Sequence, residues 1–384
     1  MIITQKDNLD RIIFELVFEN SGAIFAKEGV ANFLAKILNN RGSSKNPDTK
    51  FLGKLDNNAI HLSISAGKET ITIHTSFLKE KQKIAFKLLK ELLSQPNFTQ
   101  NAFDKTKKEI LSTIKRKQTD FDYIANINLN KITFKNSIGN PIIGENLNFT
   151  LDDIKSHFKN FFIQENLTFV VGGNFDKINF DEFISIFPKG QKQKTPFYLP
   201  KQENIKIIKP TEQSYIYFNT PYKLSKDEYY KAKLATFILG AGGFGSRMME
   251  EIRVKNGFAY SAYARNSFTN HTTILKGHLQ TKLENEQKAI KKLKNIIEEF
   301  TSKGITKEEL LQAKQFLIGS EPLRNETLNQ KLASKFNEYY YGFEKDYYKK
   351  ELKLIEQITL DEINKFITKH KELNKLSLSI VNKG

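Results

Sequence analysis

Residues 239–263 read LGAGGFGSRMMEEIRVKNGFAYSAY, and this stretch contains the densest local signals in the chain. Four glycines interrupt a helical pattern at its beginning: Gly240, Gly242, Gly243 and Gly245. Serine is a common helix cap, so Ser246 predicts the start of a second helix that runs from 247 to about 255. Asn256 and Gly257 then predict a left-handed helix stop.

Arg253 and Tyr260 lie seven residues apart on either side of this helix stop. Arg253 falls in the last helical turn, and Tyr260 enters a predicted strand. A guanidinium and a phenol that converge there can both donate hydrogen bonds to one carbonyl or oxyanion. In the alternative interpretation, Arg253 pairs with a surface carboxylate and Tyr260 packs in a sheet. The local residues by themselves favour this alternative.

The bulk composition indicates a folded protein of more than one domain. The chain has 384 residues, of which 39% are hydrophobic, enough for substantial cores. Its net charge of +17 can attract nucleic acid, anionic lipid or acidic peptides. The lysines are spread over amphipathic helices, however, and no motif typical of DNA or RNA recognition is present. We therefore rank nucleic-acid binding below the alternatives developed next.

Several kinds of site and segment are excluded by the sequence. There are no cysteines, which rules out disulfides, thiolate metal sites and a cysteine nucleophile. No run approaches the ~18 apolar residues that span a bilayer. Residues 1–6 lack the basic and then apolar layout of an export signal. We expect either a cytosolic protein or a sequence that starts after a removed signal.

An internal repeat organises the chain. Residues 99–107 (TQNAFDKTK) align with 306–314 (TKEELLQAK) at an offset of 207. Residues 150–154 (TLDDI) align with 359–363 (TLDEI) at an offset of 209. Strand and helix patterns also follow in the same order in both halves. Two matches at nearly one offset indicate two similar domains in tandem.

We predict an α+β protein with two homologous domains, each a mixed or antiparallel sheet with packed helices. The first domain is assigned to 1–187 and the second to 211–384. Residues 188–210 are rich in proline and lysine and poor in apolar runs, so we predict a linker there. Its lysines are typical of a solvated surface.

Three segments resemble the M16 peptidases, the pitrilysin or insulinase group that includes mitochondrial processing peptidase. They are 27–38, which is similar to the zinc-site helix, 150–175, and 239–263, which is similar to the second-domain signature. The resemblance covers nearly the whole chain and implies the tandem α+β fold. Active members have His-x-x-Glu-His on the first helix, where two histidines one turn apart hold Zn²⁺ and the glutamate activates water.

This chain departs from that zinc motif at every position. Asn32 and Lys36 stand where the resemblance places histidines, and Ala35 stands where it places the glutamate. The later glutamate ligand falls near Ser112 or Thr113, about one turn after Glu109. We therefore predict no metal ligands and no autonomous zinc catalysis of this kind.

The histidines of the chain offer one candidate for a different metal site. If Gly67 and Lys68 form a two-residue turn, His61 lies opposite His74 on the next strand. No third ligand is visible, so an ordinary cross-strand pair is favoured. His271 and His278 lie on or beside one strand, seven residues apart, and this odd spacing puts them on opposite faces. His157 and His370 are predicted to be solvated.

The second-domain signature is intact, in contrast. In the family, an arginine and a tyrosine spaced like Arg253 and Tyr260 bind the substrate backbone and stabilise the tetrahedral intermediate. Some members divide the zinc motif and this pair between two chains. The resemblance thus implies a non-catalytic subunit of a heterodimeric zinc peptidase, with Zn²⁺ in the partner, no cofactor in this chain, and an unstructured peptide as substrate. The glycine-rich run resembles the substrate-handling loop of such subunits, and a flexible turn between helices is the alternative.

The main alternative function is a catalytically inactive scaffold or peptide-binding protein, including a homodimer. By analogy with two-chain bacterial members we expect a periplasmic location, with a cytoplasmic location as the alternative.

Overall fold

The computed structural model describes residues 1–384, which form ten strands in two five-stranded sheets. The strands of the first sheet are β1 (Ile2–Lys6), β2 (Arg11–Phe18), β3 (His61–Ala66), β4 (Ile71–Leu78) and β5 (Leu167–Gly173). Those of the second are β6 (Asn204–Ile208), β7 (Gln213–Pro221), β8 (Ala259–Phe268), β9 (Thr273–Lys282) and β10 (Ser377–Asn382).

Thirteen α-helices accompany the sheets. In the first half of the chain they are α1 (Val30–Arg41), α2 (Thr49–Asp56), α3 (Gln82–Ser94), α4 (Gln100–Lys117), α5 (Phe121–Thr133), α6 (Leu151–Phe161) and α7 (Asp181–Ile184). In the second half they are α8 (Tyr229–Thr236), α9 (Glu286–Lys303), α10 (Lys307–Gly319), α11 (Leu328–Tyr340), α12 (Tyr347–Gln357) and α13 (Leu360–Lys369). None of them combines the length and the apolar character that a bilayer crossing requires.

The two sheets have the same topology. Their strand orders are β1-β5-β2-β4-β3 and β6-β10-β7-β9-β8, which are identical when strands are counted within each half. In each, the first strand pairs in parallel with the last, and all other neighbours are antiparallel. The predicted α+β class with two similar domains is confirmed.

The aligned sequence segments begin equivalent helices. The hydroxyls of Thr150 and Thr359 each accept a hydrogen bond from the backbone N–H of the third helical residue, and the carboxylate of that residue, Asp153 or Glu362, accepts one from the backbone N–H of the threonine. Such a capping box satisfies two backbone donors that a helix start otherwise leaves unpaired. Thr99 and Thr306 likewise accept backbone hydrogen bonds at the starts of α4 and α10.

Contacts divide the chain into two units that interleave along the sequence. Unit 1 contains residues 1–116, 136–195 and 325–337, and unit 2 contains 117–135, 196–324 and 338–384. These units differ from the predicted boundaries of 1–187 and 211–384. Inside the predicted linker 188–210, β6 is a strand that pairs with β10, because its alternating apolar residues complete the edge of the sheet.

The reason for the interleaving is visible in each unit taken by itself. One face of β2 packs Ile12, Phe14 and Leu16 into the main core of unit 1. Against the opposite face lies α11, whose Leu328 and Leu332 fill the space above Gly172, where a β-carbon would approach Leu332 to 2.6 Å. In unit 2, α5 occupies the corresponding face and packs Ile124 and Ala125 against Val381 and its neighbours.

Two histidines that we predicted to be solvated are buried. His157 is 5% exposed and its Nε2 hydrogen-bonds the carbonyl oxygen of Ser21 at 2.7 Å. His370 is 2% exposed and pairs through Nδ1 with Glu372 at 2.8 Å. The prediction was wrong because helical periodicity alone does not show that both faces of a helix are covered.

We expect Leu332→Ala to destabilise the protein by about 2–5 kcal/mol, because it opens a cavity over the first sheet. Leu311→Ala is the matched control, since Leu311 lies on α10 and is 56% exposed; it should change stability by less than about 0.5 kcal/mol. Urea unfolding followed by circular dichroism measures both. Equal effects of the two substitutions would contradict the packing of α11.

His157 should make stability depend on pH. Burial lowers the pKa of His157 from 6.5 to about 4, so folding favours its neutral form. The stability that comes from this pKa difference is fully present above pH 6.5. As the pH falls toward 4, the free energy of unfolding decreases by about 3 kcal/mol in total. The free energy of unfolding of His157→Gln should fall less steeply over this interval than that of the unchanged protein. Parallel pH profiles would argue against a buried neutral imidazole.

Candidate functional site

The first helix provides no metal-binding chemistry at the positions of the zinc motif. Asn32 is half-buried, Ala35 is buried and Lys36 is exposed on α1. An amide, a methyl group and an ammonium do not fit Zn²⁺, which takes imidazole, thiolate or carboxylate ligands. No cluster of three or more histidine, aspartate or glutamate side chains is arranged to hold a metal ion.

The nearby carboxylate has a structural role instead. Glu109 forms an ion pair with Arg41 and accepts a hydrogen bond from Asn40. Arg41 is 8% exposed, so its charge requires such partners, and it also reaches Asp48 at 3.3 Å. Ser112 and Thr113, which follow on α4, carry no charge that would complete a metal site.

The predicted pairing of His61 with His74 is wrong. Ala66 pairs with Ile71, so the turn has four residues, and His61 faces Ser76 while His74 faces Ser63. The wider turn is held because the amides of Ser21 and Gly22 both donate to its Glu69 carbonyl at 3.1 Å.

His61 and His74 still share one face of the sheet as diagonal neighbours, with ring centroids 6.1 Å apart. His74 Nδ1 is hydrogen-bonded to Glu15 at 2.6 Å, which gives this imidazole a protein partner on the neighbouring strand. His61, His74 and Glu15 thus form a polar group of side chains on neighbouring strands.

The glycine-rich run connects two short π-helices. The first, Phe237–Ala241, continues α8, and the second, Met249–Val254, ends at the predicted stop, where Gly257 has a φ of +60°. Single π-helical turns inside helices are frequent at functional sites. Ser246 directly precedes this second helix, as predicted, and its carbonyl oxygen accepts a hydrogen bond from the Glu250 amide at 2.9 Å. Its hydroxyl does not cap the helix but donates to the carbonyl oxygen of Gly243 at 2.7 Å and closes the preceding turn.

The four glycines are not equivalent. A β-carbon on Gly240 would lie 2.5 Å from the backbone nitrogen of Ala264, so the close approach of the helix to β8 requires glycine there. Gly242 is crowded by Phe237, and Gly243 has a φ of +63°. Gly245 has open space around it, which leaves the tip of the loop sterically unconstrained.

Arg253 packs against two aromatic rings. Its guanidinium carbon is 4.9 Å from the ring centre of Phe244 and 5.0 Å from that of Tyr260. No carboxylate lies within 4 Å of Arg253, so the alternative of a surface ion pair is not what the structure shows. Tyr260 is 77% exposed, which also excludes the packed position considered for it.

A β-bulge orients Tyr260. Ala259 pairs with Thr281 and Ser261 with Gln280, so Tyr260 is an extra residue without a partner on β9. Bulges bend a strand and redirect one side chain, and they are common next to active sites. Here the bulge brings the phenol ring onto Arg253 at the start of β8, which is the edge strand of its sheet.

Phe244 was not recognised from the sequence. It lies between Gly243 and Gly245, is 64% exposed, and completes the cluster of Phe244, Arg253 and Tyr260. A large aromatic residue inside a glycine-rich loop is the signal that was available for it. Phe244 therefore adds an exposed aromatic ring beside the guanidinium of Arg253.

Known protein families match both halves of the chain. Residues 21–146 match the insulinase profile (peptidase family M16), and residues 148–317 match the profile described as the peptidase M16 inactive domain. The chain belongs to the M16 peptidase family. The resemblance seen in the sequence is therefore confirmed.

Individual relatives cover almost the entire chain. It is 38% identical to a Helicobacter pylori protein named non-peptidase homolog YmxG, over 95% of this chain and 88% of that protein. A Bacillus subtilis protein named uncharacterized zinc protease YmxG is 24% identical, over 92% and 84%. The fold is similar to that of a peptidase M16 inactive domain from Pseudomonas fluorescens, with a TM-score of 0.87, 19% identity, and coverage of 99% and 94%.

We expect this M16 chain to retain well below one equivalent of zinc after dialysis against the metal, because the motif positions offer no ligands. The double variant His61→Ala, His74→Ala should retain the same small amount. Elemental analysis by mass spectrometry measures both. Stoichiometric zinc that disappears in the double variant would instead assign a metal site to the two histidines.

Proposed function

We propose that this chain is a non-catalytic subunit of a heterodimeric M16 zinc peptidase. In this proposal a partner chain carries the intact zinc motif and the Zn²⁺. This chain contributes Arg253 and Tyr260 to binding of a peptide substrate and to stabilisation of the transition state. The cluster of Phe244, Arg253 and Tyr260 is the observation that carries the proposal.

The geometry of the cluster suits hydrogen bonding to an anionic or carbonyl oxygen of a bound substrate. Contact with aromatic faces uses the π-surfaces of the guanidinium and leaves its N–H groups free to donate. Arg253 has no carboxylate to neutralise it, and Tyr260 is largely exposed beside it. Two donors held in advance next to each other can stabilise charge that develops on a substrate oxygen without reorganisation.

The adjoining strand offers a way to hold a peptide. β8 is an edge strand of ten residues, and the bulge at Tyr260 lies at its beginning. An extended peptide can add to such an edge through main-chain hydrogen bonds, which need no particular side chains. This supports unstructured peptides as the substrate class.

The names of the relatives agree with a division of labour. One is called a non-peptidase homolog and another a zinc protease, so members of both descriptions are similar to this chain. The residues at positions 32, 35 and 36 favour the first description for this chain. A periplasmic location remains our expectation by analogy with two-chain bacterial members.

Reconstitution tests the proposal. The chain is mixed with a zinc-motif M16 protein from the same source, and cleavage of unstructured peptides is followed. Activity should require both chains, and Arg253→Ala or Tyr260→Phe should each lower turnover by roughly 10²-fold. Arg253→Lys keeps the charge without the planar donor fork, so we expect an intermediate loss.

Matched controls are available elsewhere in the chain. Arg324→Ala and Tyr198→Phe change exposed residues outside the cluster and should leave turnover unchanged. Full activity of both cluster variants in a complex that does form would refute the proposed roles.

The second candidate is a catalytically inactive scaffold or peptide-binding protein, including a homodimer. The name of the Helicobacter pylori relative, a non-peptidase homolog, favours it. Analytical ultracentrifugation of the chain with and without the zinc-motif protein separates the candidates. A homodimer that forms no complex with that protein would support the scaffold and contradict the heterodimer.

A further inference from the structure

Unit 2 contains a small polar cavity between α5 and the face of its sheet that this helix covers. Its volume is about 120 Å³, and Asn126 and Asn130 of α5 line it from above. From the sheet, Asn219, Lys276 and Arg265 line it. Phe244, Arg253 and Tyr260 are not among the residues that line it.

The three sheet residues form one row across three strands. Lys276 of β9 pairs directly with Asn219 of β7 on one side and with Arg265 of β8 on the other. Side chains directly opposite each other on neighbouring strands point to the same face and lie about 5 Å apart at their β-carbons. Two cations are therefore held side by side at the cavity.

Neither cation has a counterion. No carboxylate lies within 4 Å of Lys276 or Arg265, and neither side chain has a hydrogen-bond partner in the protein. Burial and, next, the positive charge of Arg265 lower the pKa of Lys276. Like charges directly opposite each other destabilise a sheet, so this arrangement is unfavourable without an anion.

The duplicated domain shows that the fold does not require these charges. In the first sheet, Glu15 pairs with His74. In the second sheet, the equivalent cross-strand pair is Tyr217 with His278. Two residues further along, the row Asn219, Lys276 and Arg265 corresponds to Val17, Thr72 and Ser65. The first sheet thus has two neutral hydroxyl residues at the positions where the second has two cations.

A buried acceptor completes the set of polar groups. Asn219 is 1% exposed, and its amide nitrogen donates to Thr133 at 3.2 Å, while its Oδ1 has no partner. A buried carbonyl oxygen without a donor is costly, so a ligand that brings a donor is favoured. Hydrogen phosphate carries negative charge for the two cations and a P–OH group for this oxygen, whereas sulfate and carboxylates have no such donor.

We propose that this cavity binds a hydrogen phosphate ion, with Lys276 and Arg265 neutralising its charge and Asn219 accepting a hydrogen bond from its P–OH group. Arg265 is exposed and lies at the solvent side of the row, which gives the ion a path to the cavity.

Isothermal titration calorimetry with sodium phosphate at neutral pH tests the site, with sodium chloride holding the ionic strength constant. We expect saturable binding, and binding at least about tenfold weaker in Lys276→Thr and Arg265→Ser. These substitutions introduce the residue types found at the equivalent positions of the first sheet, Thr72 and Ser65. Lys206→Met removes an exposed charge from β6 and should bind phosphate as the unchanged protein does.

Thermal unfolding provides a second measurement on the same proteins. Phosphate should raise the melting temperature of the unchanged chain and of Lys206→Met, and not that of the two site variants.

If Lys276→Thr fails to fold, the exposed Arg265→Ser still decides the question. Absence of saturable binding, or binding by both site variants as tight as that of the unchanged protein, overturns the proposal. Sulfate should bind about tenfold more weakly than phosphate, and equal binding would overturn the role of Asn219.

Discussion

Coverage of the second face of each sheet is the constraint on which the structure depends. Each five-stranded sheet packs one face on its main core, and its other face needs a helix as well. In unit 1 this helix is α11, and in unit 2 it is α5, and each comes from the opposite half of the sequence. Gly172 under Leu332 shows how closely such a helix approaches its sheet.

The covered faces explain why polar residues occur on central strands. His74 and Glu15 occupy one such face, and Tyr217, His278 and Lys276 occupy the other. Equivalent positions in the two sheets have different residue types. The shared topology determines the face on which a side chain lies, and it does not determine the chemistry of that side chain. The cluster around Arg253 diverged in the same way, through a bulge and a glycine-rich loop in the second half alone.

Much of the architecture was predictable from local signals. The threonine caps at 99, 150, 306 and 359 define helix starts because their hydroxyls satisfy backbone amides nearby in sequence. The stop at Gly257 was predictable because few residues other than glycine accept a positive φ. The register of β3 with β4 was not, since distant residues 21–24 set the width of its turn.

The sequence by itself determined the duplication, the absence of histidine and glutamate at Asn32, Ala35 and Lys36, and the spacing of Arg253 and Tyr260. These follow from residue identity and spacing. Only the tertiary structure decided that Phe244 joins the pair, that a bulge orients Tyr260, and that Lys276 and Arg265 meet without a counterion. Such properties depend on strand register and on helices packed from remote segments, which no local pattern encodes.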